Sequence, residues 1–305
     1  MPTVSFVTVD VFTSERFAGN QLAVIPDARG LSDRQMQAIA TEFGYSEVTF
    51  VLPPDDPANT ARVRIFTPTT EVPFAGHPNV GTAYVLGRQS EIFGKLPGDR
   101  LRFEEKAGLV EVALLDRDGV VTGARIVAPQ QLLVGPAIDA AAIAACASLP
   151  VASVSDRRHP PVRISVGLPF AVAEVRDVET LSTARPNVSA FHEANGRYPL
   201  AEDSFSLFLY ARKQHQPWRI RARMFAPLDN VIEDPATGSA SAALGAYLVS
   251  LHPEDDAEIE LTIEQGVEMG RRSLIAVTVS KQGGTVGKVS VSGECVTAMH
   301  GSIEL

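Results

Sequence analysis

Three polar residues stand where a side chain could move a proton: Glu47, His77 and Asp234. Glu47 falls between a helix end and a strand start, flanked by Phe43, Tyr45, Val48 and Phe50. A carboxylate in such company loses hydration, which favours its protonated form. Its pKa rises toward neutrality, as a general base working near neutral pH requires. The plainer alternative is a surface glutamate opening a strand. His77 immediately precedes Pro78, which suits the first position of a helix. There the helix dipole would hold the imidazole neutral, ready to donate to or accept from a substrate, or the ring would serve only as a structural cap. Asp234 precedes Pro235 and the turn Thr237-Gly238-Ser239. It is placed either for chemistry or to cap the helix that follows.

Other chemistries fit poorly. The histidines at 77, 159, 192, 215, 252 and 300 show no metal-ligand spacing, and Cys146 and Cys295 lie in unrelated contexts. No Gly-x-Ser-x-Gly elbow occurs. Gly283 to Lys288 misses the phosphate-loop spacing and reads as a hairpin turn between two strands. No Gly-x-Gly-x-x-Gly follows the first strand, so neither a metal nor a nicotinamide cofactor is expected.

The 305 residues are 45% hydrophobic and 21% charged, a composition that supports a substantial core in two domains. A net charge of −9 argues against nucleic acid and anionic membrane surfaces as partners. The one basic cluster, Arg157-Arg158-His159, sits beside prolines and reads as a solvated loop. Two isolated thiols suggest a reducing compartment. Met1 to Phe12 alternates like a strand and lacks the features of a signal peptide. No apolar run is long enough to span a bilayer. A cytoplasmic location follows as the expectation.

The elements that must position the three residues are partly legible. Leu31 to Gly44 reads as a helix, with Ser32 and Gln35 forming a capping box, Leu31 and Met36 a hydrophobic staple, and Gly44 the stop. Strands are expected over Val4 to Phe12, Gln21 to Ile25, Val48 to Leu52, Arg62 to Phe66, Leu101 to Phe103, Val110 to Leu115 and Arg125 to Val127. Further strands are expected over Val162 to Val166, Ala171 to Val175, Ser206 to Leu209, Arg219 to Phe225, Glu258 to Ile263 and Leu274 to Val279. Many strands and few long helices, without strict alternation, indicate an α+β protein. An Ala-rich helix between Pro136 and Pro150 and the Ser/Pro-rich stretch to Pro161 mark a change of domain between 128 and 160. The expected lobes are 1–128 and 129–305, with the last strand free to return to the first lobe.

The lobes share a repeat. Arg64-Ile65-Phe66-Thr67-Pro68 recurs as Arg223-Met224-Phe225-Ala226-Pro227, an offset of 223 − 64 = 159. Each copy leads through a turn into a small-residue helix, Asn79 to Leu86 and Thr237 to Val249, and neither helix holds a charged residue. A helix without a polar face is buried on all sides. Each lobe is therefore expected to be a curved mixed sheet or barrel wrapped around a central helix. If the amino-terminal ends of the two helices face one cleft, their free amides form a site for an anion such as a substrate carboxylate.

These residues resemble the phenazine-biosynthesis PhzF-like family of the diaminopimelate-epimerase-like fold. The matching segments are Val9-Asp10-Val11-Phe12, Phe17-Ala18-Gly19-Asn20, Ser46-Glu47-Val48-Thr49-Phe50 and Ile65-Phe66-Thr67-Pro68. Further along come Phe74-Ala75-Gly76-His77-Pro78 with Gly81-Thr82-Ala83, Gly167-Leu168-Pro169, Glu233 through Ala240, and Gln265-Gly266 with Gly270-Arg271. They run in order along nearly the whole chain. The resemblance implies a homodimer, no cofactor and an active site between the lobes. It also implies that the residue matching Glu47 shuttles a proton between two carbons of a cyclic carboxylate. Residues matching His77, Asp234 and Ser239 assist, and the backbone around Gly76, with Thr237 and Gly238 at the second helix, holds the substrate. Arg272 stands where the family usually has Pro, and Gln21 where Pro often follows the Asn. The epimerase cousins of the fold use one cysteine at each central helix, and neither helix start here holds one. The expected activity is a cofactor-independent isomerase. A two-base epimerase or racemase, and a non-catalytic binding protein, remain the alternatives.

Overall fold

A computed structural model describes residues 3–199, 204–213 and 216–305. Met1, Pro2 and His215 lie outside that set. The chain divides into two units, Met1–Val127 with Ser292–Leu305, and Ala128–Val291.

The first unit contains β1 (Thr3–Val11), β2 (Asn20–Ile25), α1 (Asp33–Phe43), β3 (Val48–Leu52), β4 (Ala61–Phe66), β5 (Glu71–Val72), α2 (Gly76–Gly87), β6 (Arg100–Glu105), β7 (Gly108–Arg117) and β8 (Val120–Val127). The second contains β9 (Leu133–Ala137), α3 (Ala140–Ala147), β10 (Val154–Ser155), β11 (Val162–Ser165), β12 (Pro169–Val175), α4 (Val178–Thr183), α5 (Val188–Arg197), β13 (Leu207–Lys213), β14 (Gln216–Ala226), β15 (Val231–Asp234), α6 (Gly238–Ser250), β16 (Ala257–Gln265) and β17 (Ser273–Gln282). The long strand β18 (Thr285–Glu304) begins in the second unit and ends in the first.

In the first unit, β1 pairs with β2 antiparallel, β2 with β3 parallel, β3 with β4 antiparallel, β4 with β6 parallel, and β6, β7 and β8 antiparallel in turn. β18 pairs with β1 along Cys295–Glu304 and also with β8, which closes a barrel. α2 connects the parallel strands β4 and β6 through the barrel interior, and every residue from His77 to Leu86 is buried. The absence of charge along this helix is what makes that burial affordable. α1 lies outside, with its capping box formed and Gly44 ending it in the left-handed conformation at φ 63°.

The second unit repeats the alternation. β11 pairs with β12 antiparallel, β12 with β13 parallel, β13 with β14 antiparallel, β14 with β16 parallel, and β16 with β17 antiparallel. α6 is its central helix, and all but two of its residues, Ser239 and Ser250, are buried. The repeat reaches side-chain detail. Arg64 donates to both carboxylate oxygens of Glu71 at 2.8 and 2.7 Å, and Arg223 to both of Glu233 at 2.8 Å. Each guanidinium also lies over the ring two residues on, Phe66 at 5.1 Å and Phe225 at 4.9 Å.

Three expectations need correction. α2 starts at Gly76, not Asn79, because Pro in a first turn forfeits only an amide that has no partner there anyway. The N-cap of α6 is Thr237, so Asp234 does not cap that helix. His159 is not part of a solvated loop: it is 4% exposed and bonded through Nε2 to the Tyr210 hydroxyl at 2.7 Å.

Candidate active site

Glu47 follows the end of α1 and immediately precedes β3. Its Oε2 stands 3.5 Å from His77 Nε2, with 19% of the Glu47 side chain and 8% of the His77 side chain exposed. Burial pushes the Glu47 carboxyl up to about 7, against a smaller opposing effect from a hydrogen bond with the Ser46 side chain. The sequence expectation of a desolvated carboxyl thus holds. On the far side of the imidazole, Asn20 Nδ2 lies 3.4 Å from His77 Nδ1. An amide nitrogen only donates, so Nδ1 accepts and the neutral ring carries its proton on Nε2, toward Glu47. Asn20 also accepts from the Ser46 hydroxyl at 3.5 Å through Oδ1. It is 2% exposed and joins the segments that carry both Glu47 and His77. A buried hydrogen bond of 2.8 Å between Thr49 of β3 and Thr82 of α2 fixes the two elements against each other.

His77 is the second residue of α2, after Gly76. In the second unit, Asp234 ends β15 and Thr237 precedes α6. The Thr237 hydroxyl donates to Asp234 Oδ2 at 2.5 Å. Gln265, fully buried at the end of β16, holds this turn from behind. Its Oε1 accepts from the Thr237 amide at 3.0 Å, while Nε2 donates to the Asp234 carbonyl at 2.7 Å and to Thr237 Oγ1 at 3.0 Å. Gly238 and Ser239 are the first two residues of α6, and Ser239 is half-buried.

The two helix starts share a further property. α1, α3, α4 and α5 each have a side-chain cap, from Ser32, Asp139, Asp177 and Asn187. α2 and α6 have none, at Ala75 and Thr237. Uncapped first-turn amides in a buried helix favour an anion.

The structure thus brings Glu47, His77 and Gly76 together in one unit, and Asp234, Thr237, Gly238 and Ser239 together in the other. Asn20 and Gln265 carry no assigned role in the sequence reading. Their signal lies in the motifs Phe17-Ala18-Gly19-Asn20 and Gln265-Gly266. Arg272 donates to Glu264 Oε1 at 2.6 Å and takes no part in the Gln265 turn. Gln21 sits opposite Asp10 in the β1–β2 ladder. Cys146 and Cys295 are buried on α3 and β18, with the thiol of Cys146 pushed up to about 12 by burial. Among the described residues, no three His, Cys, Asp or Glu side chains converge on a point where they could hold a metal ion. No described helix is long and apolar enough to cross a membrane.

A family model described as phenazine biosynthesis-like protein matches residues 9–301. A Mesorhizobium japonicum protein named as an uncharacterised isomerase is 37% identical, the match covering 99% of each chain. The trans-2,3-dihydro-3-hydroxyanthranilate isomerase of Pseudomonas chlororaphis is 34% identical over 98% of this chain and 99% of its own. Among solved structures, a PhzF-family phenazine biosynthesis protein of Bacillus anthracis matches over 100% of both chains with a TM-score of 0.87 and 26% identity. The α+β fold of paired lobes, the family model and the full-length relatives together place this chain in the phenazine biosynthesis-like PhzF family, as an isomerase of that type.

Proposed function

We propose that the chain moves a proton between two carbons of a small cyclic carboxylate, with Glu47 as general base and then general acid. The observation that carries this reading is the Glu47 carboxyl, shifted by burial to about 7, standing 3.5 Å from an imidazole whose other ring nitrogen faces the Asn20 amide. In the first step the Glu47 carboxylate takes a proton from a ring carbon, and the electron pair of that C–H bond spreads into the conjugated system. In the second step the Glu47 acid returns the proton to another carbon, restoring the carboxylate and leaving a positional isomer. His77 donates from Nε2 to the developing negative charge, and Asp234 orients a polar substituent of the substrate. The uncapped amides at Gly76, Gly238 and Ser239 receive the substrate carboxylate, with Thr237 beside them, its own amide held by Gln265. A homodimer acting without a cofactor, in the cytoplasm, completes the proposal.

The relatives' substrate, trans-2,3-dihydro-3-hydroxyanthranilate, is the first compound to test, in deuterated buffer with the product followed by NMR. Glu47→Gln keeps the shape and hydrogen bonding of the side chain but cannot hold the proton. It is expected to lose turnover and solvent exchange by about 10²–10⁴-fold while still binding the compound. Exchange at the wild-type rate in this variant would show that another residue is the base. A stereoisomeric product would replace the positional reading by the two-base epimerase.

A further inference from the structure

Glu105 and Gln265 occupy matching places in the duplicated fold. The parallel pairing of β4 with β6 sets Ala61 opposite Phe103 and Arg62 opposite Glu104. That of β14 with β16 sets Ile220 opposite Ile263 and Arg221 opposite Glu264. The next residue, the last of its strand, is Glu105 in one unit and Gln265 in the other. Gln265 grips the first turn of α6 with one acceptor and one donor.

The surroundings of Glu105 point to the same task on α2. Both of its carboxyl oxygens are shut off from solvent and take no hydrogen bond among the described residues. Beside it on α2 is Asn79, fully buried, whose Nδ2 donates at 3.0 Å to the carbonyl of Ala75, the residue that opens the helix. Asn79 Oδ1 is likewise buried without a hydrogen bond. The cleft next to Glu105 is lined by Asp55, Arg62, Arg64, Glu71, Glu104 and Lys106. Its cations are engaged elsewhere: Arg62 with Asp55 at 3.2 Å, and Arg64 and Lys106 with Glu71, each at 2.7 Å. Along α2, His77 lies two residues from Asn79, and its Nε2 stands 3.5 Å from Glu47. A charge on Glu105 would therefore be buried without a counter-ion, and burial pushes its carboxyl up to about 8, against a weaker pull from Asn79. A neutral carboxylic acid has one acceptor and one donor, the two functions that Gln265 uses. An ionised one only accepts.

We propose that Glu105 is a positioning residue for His77, holding the first turn of α2 through Asn79 as Gln265 holds that of α6. The proposal rests on His77 belonging to the active site, but its test needs no turnover. In the full-length protein without substrate, the His77 ring resonance, assigned by its loss in His77→Asn, is followed by NMR from pH 6 to 10. Wild type should show an inflection near pH 8, separate from one near pH 7 due to Glu47. Glu105→Gln, which supplies the partner unit's own side chain, should keep the resonance in its wild-type position at pH 7 and lose the upper inflection alone. Glu105→Leu should displace the resonance at every pH. An upper inflection that survives in Glu105→Gln, or an undisplaced resonance in Glu105→Leu, overturns the proposal. If Glu105→Leu does not fold, the Glu105→Gln curve decides by itself. A wild-type enzyme that fails to exchange substrate protons would sink the isomerase mechanism and leave this result standing.

Discussion

A carboxyl that titrates near 7 in the folded chain, and ionises on the order of a few hundred-fold more readily when unfolded, makes folding depend on pH. For Glu47 the folded pKa is raised by burial. Below its ordinary value both states are protonated and burial of the acid has no electrostatic penalty. As pH rises, the unfolded chain ionises first and stability falls, until above 7 the full penalty of about 3 kcal/mol is present. Glu47→Gln removes the titration, so its stability advantage over wild type should be absent at pH 4 and largest at pH 8. Urea unfolding at the two pH values measures this. An advantage equal at both would mean that the shift has another origin. Such a residue is legible in sequence because its aromatic neighbours, Phe43, Tyr45 and Phe50, are adjacent in the chain. Asn20 is not, since nothing local distinguishes a loop asparagine in water from one 2% exposed that fixes a histidine tautomer. Its burial is created by residues 26 and 57 positions away, Ser46 and His77.

At the scale of elements, His77 and the Asp234–Ser239 turn each stand at a junction between a strand and a central helix, while Glu47 stands between α1 and β3. The second junction depends on Gly266, which follows Gln265 at φ 73°. A Cβ there would stand 2.4 Å from the Arg271 carbonyl and 2.6 Å from the Pro235 carbonyl, both backbone oxygens that cannot swing aside. Gly266→Ala is therefore expected to cost about 1–3 kcal/mol and to loosen the Asp234–Thr237 turn, weakening carboxylate binding more than the stability loss alone. Thermal unfolding and titration with the substrate carboxylate check the two effects. A variant with unchanged affinity would show that the turn tolerates the shift. The central helices are legible because an uncharged helix has only one place to be. The short strands β5 and β15 are not, since two to four residues become strands only through pairing with β4 and β14. Nor is β9, five exposed residues held to β11. α5 carries ordinary signals, an Asn187 cap with Ala190, Phe191 and Ala194 at helical spacing, yet the apolar positions are too few to separate it from a loop.

The whole molecule is a duplication in which equal side chains have come to bear unequal loads. The repeated Arg-x-Phe segment is readable from sequence, and so is the pair of sheets it implies. What a repeat of five residues does not reveal is how each copy is packed. Arg64 keeps 20% of its side chain exposed and shares Glu71 with Lys106, which lies 2.7 Å from the same carboxylate. Arg223 is 3% exposed. Besides Glu233 it donates through Nη1 to the carbonyls of Leu181, Ser182 and Ala184 at 3.2, 3.3 and 2.8 Å, closing the end of α4. Replacing Arg64 by Met leaves Glu71 with its lysine, and the expected loss is about 1 kcal/mol. Replacing Arg223 by Met strands a carboxylate that is 13% exposed and takes one donor from each of three carbonyls, which keep the Ala184 amide or the Arg185 guanidinium as a second partner. Removing one partner of a buried pair typically costs about 3–5 kcal/mol, and the three lost carbonyl contacts add to that cost only weakly because each carbonyl keeps another donor. Urea unfolding of Arg64→Met and Arg223→Met, each against wild type at pH 7, compares the two copies directly. Equal losses would mean that the three carbonyl contacts contribute nothing and that the ion pair alone matters in both units.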